Sequence, residues 1–171
     1  LSTVAVYLVL RSSKEGSEWT PILLAGWCLG LSAFAEYVAA FMALPLIVYL
    51  LRACGRRCAY VFGAGVFTGP VLHLFFNFVA FRSPLVFPES LKPHESEGLL
   101  DRFDIAGLPG HLLAYLVSPY RGLLLLSPVL VFGIYGLYRM IRNAAIRRDG
   151  WLFVGLFLSV VIPYSMWWDW S

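Results

Sequence analysis

The chain has 171 residues, 60% of them hydrophobic and 13% charged, with a formal net charge of +3. Soluble domains are typically about 45–50% apolar and about 25% charged, so this composition, with a mean hydropathy of +0.75, departs in the direction of a membrane protein. So small a charge calls for no nucleic-acid partner, and three cysteines exclude a disulfide framework.

At about 20 apolar residues per span, the length predicts an all-α, polytopic membrane helix bundle. It would hold about five or six transmembrane or half-membrane helices in a single transmembrane domain over residues 1–171. The opening LSTVAVYLVL lacks the basic start of a signal peptide and reads as the tail of a helix that begins upstream. The end at Ser171 reads as a cut, so the sequence is expected to be an internal fragment of a longer protein. RSSKEGSEW follows as a polar first loop carrying Arg11 and Lys14.

The apolar run from Pro21 to Leu51 comes next. As one helix it would be about 46 Å long at 1.5 Å per residue, against a hydrocarbon core of about 30 Å. It also holds Glu36 at its middle, where a charge at the bilayer centre costs from about 3 to over ~10 kcal/mol, depending on the method. Two short helices meeting at a bend near Glu36 remove both problems. Gly26 and Gly30 form a GxxxG step that permits close helix packing.

RACGRRC is a tight basic loop whose Cys54 and Cys58 read as reduced thiols, two sulfurs without a nearby histidine being a poor metal set. A span is expected from about Ala59 to Phe81. On it His73 and Asn77 stand four residues apart and project together, which is ordinarily a packed polar pair between helices. The stretch from Arg82 to Arg121 is long, polar and proline-interrupted, with PGHLLAYLVSPYRG forming a short interfacial helix. A span from about Gly122 to Met140, the basic loop IRNAAIRRDG and a last span in WLFVGLFLSVVIPYSMWW complete the chain. Arginines crowd the RACGRRC and IRNAAIRRDG loops, which predicts both to be cytoplasmic and the loop of about 82–121 to be extracytoplasmic.

That topology gathers Glu36, the Ser118–Arg121 corner and Asp169 on one face. An intramembrane acid such as Glu36 is by default a functional hypothesis. Arg121, where a span meets the outer face, either snorkels to lipid phosphate or grips a ligand phosphate with its planar fork. Tryptophans at a span end ordinarily form an interface belt. A belt leaves Asp169, set between Trp168 and Trp170, without a purpose, whereas a carboxylate among indoles suits a carbohydrate. No P-loop, nucleophile elbow, zinc-helix signature or glycosylation sequon is present.

Four stretches carry a family resemblance. AGWCLGLSAFAEYVAAFMALPLIVYLL resembles the AGLLLGLAxLTxxxxxLLxLPLxLYLL stretch of polytopic glycosyltransferases of the C-type fold. That superfamily includes the dolichyl-phosphate-mannose protein mannosyltransferases and the bacterial lipid A aminoarabinose transferases. FNFVAFRSPL is similar to their YNYxxFGSPL segment, SPYRGLLLLSPVLVFGIYGLYRM to SPYRGLFFxSPVLLLALPGL, and SMWWDWS to the start of YxxWWGGxSxGPR. The blocks fall in family order over nearly the whole chain. Departures occur at Arg82, where glycine is usual, at Asp169, and at Glu36–Tyr37, where relatives often carry a basic residue, so a phosphate-binding role does not transfer to Glu36.

The resemblance implies a multi-pass enzyme of a prokaryotic cell membrane. It would move a sugar from a polyprenyl-phosphate donor to a glycan, lipid or protein acceptor outside the cytoplasm, among membrane lipids. Its catalytic base would be a carboxylate upstream of this sequence, and the segment itself would carry no cofactor or metal. Glu36, Tyr37, Tyr120, Arg121, Trp168 and Asp169 are the candidate substrate-binding residues. A transporter or lipid flippase would also use broken helices and intramembrane acids, but no inverted repeat is visible. A non-catalytic membrane subunit would tolerate loss of both Glu36 and Asp169.

Overall fold

A computed structural model describes residues 1–15, 18–84, 107–118 and 123–166, and among these the regular structure is entirely helical. The chain divides into two compact units, Leu1–Ser96 and Glu97–Ser171.

In the first unit, α1 (Ser2–Glu15) packs on α2 (Trp19–Ala35) and α3 (Ala43–Ala53), while α4 (Arg56–Val66) and α5 (Thr68–Phe81) cross α2. The helix α1 does not stop at the apolar letters. Arg11 and Lys14 lie on it instead of in a loop. Ser13 explains why this polar end stays helical and packed. Its hydroxyl donates to the Leu10 carbonyl at 2.8 Å, and it accepts from the Tyr49 hydroxyl at 3.0 Å. Ala5, Val9 and Ser12, spaced four and three residues apart, form the buried stripe.

The long apolar run divides as its length and charge require. The helix α2 ends at Ala35, and Glu36 is extended at φ −145° and ψ 113°. The second half does not restart as an α-helix, however. Tyr37–Met42 is a 3₁₀ helix, and only then does α3 begin. Pro45 stands in the first turn of α3. It has no N–H to return to the Phe41 carbonyl, and its ring crowds that carbonyl, which favours the tighter winding before it.

The densest packing of the unit is between α2 and α4. Gly26 and Gly30 on α2 meet a second GxxxG step, Gly65 and Gly69, that runs from α4 into α5. A side chain at Gly65 would come within 2.6 Å of the Leu23 carbonyl oxygen and 2.9 Å of the Gly26 Cα, and one at Gly30 within 2.7 Å of the Val66 carbonyl oxygen. The absence of Cβ atoms on both sides lets backbone touch backbone. Ile22, Ala25, Leu29 and Ala33 on α2 and Ala59 and Phe62 on α4 are buried around this crossing.

The corner between α3 and α4 is the RACGRRC sequence. Gly55 turns it with φ +90°, a region that an L side chain rarely occupies. Cys58 donates to the Cys54 carbonyl at 3.6 Å, and neither cysteine is in a disulfide. From this corner α4 and α5, parted by one turn residue at Phe67, run together over Arg56–Phe81. Among the described residues this is the one helix long and apolar enough to cross a membrane. It begins three residues before the expected start at Ala59. Arg82 ends it in the left-handed conformation, at φ 58°, with its N–H on the Phe78 carbonyl.

In the second unit, α6 (Leu108–Val117) forms a short helix in the region of PGHLLAYLVSPYRG and packs on α7 (Leu123–Leu126) and α9 (Arg147–Met166), and α8 (Val129–Arg142) packs on α9. The expected continuous span over Gly122–Met140 is interrupted at Ser127–Pro128. Pro128 cannot donate to the α7 ladder, and Leu130 and Val131 make short-range bonds to the Ser127 and Pro128 carbonyls. The basic loop is a turn held by its own polar groups. Asn143 Oδ1 accepts from the Ala145 N–H at 3.1 Å, and Arg147 Nε donates to the Ile141 carbonyl at 3.1 Å.

Candidate functional site

The site forms in the first unit, where the α2 break faces α5. Glu36 is exposed and marks the change from α-helix to 3₁₀ helix. Its own N–H still bonds to the Ser32 carbonyl at 2.8 Å, and its carbonyl accepts from the Ala39 N–H at 3.0 Å. Both backbone groups are thus satisfied at the point where the chain changes direction, and the carboxylate and the Tyr37 ring stand at the junction.

Tyr37 is half exposed, and its ring makes a T-shaped pair with the His73 imidazole, with centroids 5.4 Å apart at 85°. Phe34, on the last turn of α2, contacts the same imidazole at 6.2 Å and 68°, and it meets Phe76 at 6.3 Å and 77°. These edge-to-face arrangements are the preferred geometry for π systems. The break therefore sets two aromatic rings, Phe34 of α2 and Tyr37 of the 3₁₀ segment, against one imidazole, with Phe76 against Phe34.

His73 is held from below by Asn77, one helical turn on. The Asn77 amide nitrogen lies 3.2 Å from His73 Nε2 and 3.3 Å from the Pro84 carbonyl oxygen. Asn77 is only 2% exposed, so these contacts replace water for a buried amide. The turn after Arg82 is thereby tied to the imidazole through a single side chain.

Of the residues expected to bind substrate, Glu36 and Tyr37 are placed together at the break. Tyr120, Arg121, Trp168 and Asp169 lie outside the described residues. His73 and Asn77 were legible only as an i, i+4 pair. What their spacing could not indicate is that the break delivers Tyr37 and Phe34 to them. The signal available was the coincidence of two polar interruptions in apolar segments, one at Glu36 and one at His73. No cluster of metal-ligating side chains is present among the described residues.

Chemically, the arrangement offers a carboxylate, a phenol, an imidazole and apolar ring surface within one neighbourhood. Such a mixture suits a ligand with both hydroxyl groups and C–H faces. Comparison with family models, with curated proteins and with solved structures finds no match.

Proposed function

We propose that the protein is a multi-pass membrane glycosyltransferase of the C-type fold, moving a sugar from a polyprenyl-phosphate donor to an acceptor on the extracytoplasmic face. The observation that carries this reading is the helix break at Glu36. It sets Glu36 next to a tyrosine whose ring meets a histidine, in the middle of otherwise apolar sequence, and polar interruptions of that kind mark substrate sites in membrane bundles.

The surface chemistry supports the same reading. In the apolar Arg56–Phe81 helix only 17% of the most apolar stretch is buried, unlike the core helix of a soluble protein. Its outward residues include Phe75, Phe78 and Val79, and so large an exposed apolar surface requires a partner or lipid. The order of the four sequence blocks favours a glycosyltransferase within that class.

The donor's anomeric bond then lies at the membrane surface. Transfer needs a base on the incoming hydroxyl and stabilisation of charge on the departing phosphate. In this reading Arg121 holds the phosphate, and Trp168 and Asp169 hold sugar or acceptor. The base is a carboxylate upstream.

Full-length protein in proteoliposomes, supplied with short-chain prenyl-phosphate sugars, provides the test. Release of prenyl phosphate is expected. Arg121→Lys should slow it, because an ammonium cannot reproduce a bidentate grip; a lost charge-assisted contact of about 1.5–3 kcal/mol is about ten- to a hundredfold. Movement of the intact donor across the bilayer without cleavage would identify a translocator instead and overturn the proposal.

A further inference from the structure

Asn77 faces two partners with one nitrogen. A carbonyl oxygen only accepts hydrogen bonds, so the Pro84 carbonyl, 3.3 Å away, requires the NH₂ end of the amide. The flipped amide would set Oδ1 against that oxygen. One Nδ2 hydrogen goes to Pro84 and the other to His73 Nε2, 3.2 Å away. His73 Nε2 must then accept, and an imidazole that accepts at Nε2 carries its proton on Nδ1. Burial of Asn77 at 2% exposure keeps water from relaxing this requirement. Tyr37 and Phe34 meet the ring in edge-to-face geometry and hold its plane. Among the described residues none hydrogen-bonds to Nδ1.

We propose that Asn77 is a positioning residue that fixes His73 as the Nδ1–H tautomer, and that this N–H binds an oxygen of the sugar carried by the donor. The inference rests on the glycosyltransferase reading and names where the sugar sits. A phosphate is best matched by a cation with several donors, whereas the break offers neutral donors, a ring N–H and the Tyr37 phenol, beside aromatic surface. Tyr37 and Phe76 are each about half exposed, at 47% and 53%. Their electron-rich faces suit the positively polarised C–H groups of a sugar ring. Asn77 touches no substrate and acts through His73.

The experiment uses full-length protein labelled with ¹⁵N-histidine in lipid nanodiscs. The chain has three histidines, and His73→Gln assigns the signal by its loss. The parent protein should show His73 protonated at Nδ1 and bare at Nε2. Asn77→Asp, which replaces the donor by an acceptor, should move the proton to Nε2. Neryl-phosphate mannose and neryl-phosphate glucose are the probes, with neryl phosphate as the sugar-free arm. At least one sugar-bearing probe should shift the Nδ1 resonance, and neryl phosphate should not. In turnover, Asn77→Asp should raise the donor KM about tenfold and leave kcat within about twofold, the pattern of lost ground-state binding.

An Nε2–H tautomer in the parent, an unchanged tautomer in Asn77→Asp, or an equal shift with neryl phosphate would overturn the inference. Turnover without any movement of the Nδ1 resonance would remove this sugar site and leave the glycosyltransferase reading standing. Absence of turnover with every sugar-bearing probe would remove that reading itself.

Discussion

Replacing Gly26 by alanine tests the crossing of α2 and α4 directly. The added Cβ would lie 2.9 Å from the Gly65 Cα and 3.1 Å from the Val66 nitrogen, and closer still to the Phe62 carbonyl oxygen. All three are backbone atoms, so no side chain can rotate away. Against the optimum of about 3.5–4.0 Å between carbons, the helices must separate by at least about 0.6 Å. Overpacking of this kind costs about 1–3 kcal/mol. The alanine also gains about 0.8–1.0 kcal/mol of helix propensity, which would mask part of the loss. Gly63 supplies the control, since it lies inside α4 and a Cβ there meets nothing within 4 Å. Gly63→Ala should therefore stabilise by the propensity gain alone. The difference between the two variants cancels propensity and isolates the clash, at about 1–3 kcal/mol. Reversible unfolding by SDS in mixed bicelles, followed by tryptophan fluorescence, measures both. Equal midpoints for Gly26→Ala and Gly63→Ala would refute the backbone-contact account.

Arg82→Gly should raise the unfolding free energy by up to about 1 kcal/mol, because a left-handed residue costs an L side chain roughly 1–2 kcal/mol and glycine returns part of that as chain entropy; a lowered midpoint would contradict it. Ser13→Ala and Tyr49→Phe should each cost about 0.5–1.5 kcal/mol, and a double-mutant cycle should return a coupling of about 1 kcal/mol, whereas strict additivity would dissolve the pair. Asp169→Asn should preserve expression and reduce sugar transfer, and unchanged transfer would leave those tryptophans as an interface belt. A cysteine placed at Ser96 should react with an impermeant reagent in intact cells; reaction only after permeabilisation would reverse the predicted topology.

The break at Glu36 was legible because two separate constraints, excess length and a central charge, fell on the same residue. Local sequence sufficed there. Gly26 and Gly30 announced a close approach but not its partner, since a GxxxG step carries no address. Gly65 and Gly69 gained their meaning only from the crossing. The polar end of α1 looks like a loop in the sequence for the same reason, as Ser13 is satisfied by Tyr49, 36 residues away. Pro128 is visible in the sequence, yet the leucines on its N-terminal side dominate the hydropathy and hide the interruption it makes. At the site, the i, i+4 spacing gave His73 and Asn77 a shared face. The rings that enclose His73 come from α2 and the 3₁₀ segment, and no periodicity could have supplied them.

The 3₁₀ winding of Tyr37–Met42 governs the angular phase of α3. A 3₁₀ helix turns about 120° and rises about 2.0 Å per residue, against about 100° and 1.5 Å in an α-helix. Over the six residues of this segment the difference accumulates to about 120° of rotation and about 3 Å of length. Leu46, Tyr49 and Leu50 are the buried residues of α3, which packs on α1 and α4. Rewinding the segment as an α-helix would swing that trio a third of a turn from its neighbours. The short connector thus works as a phase lock between two rigid rods: Pro45 sets its pitch, and the 3.0 Å Ser13–Tyr49 contact registers whether the angle is right.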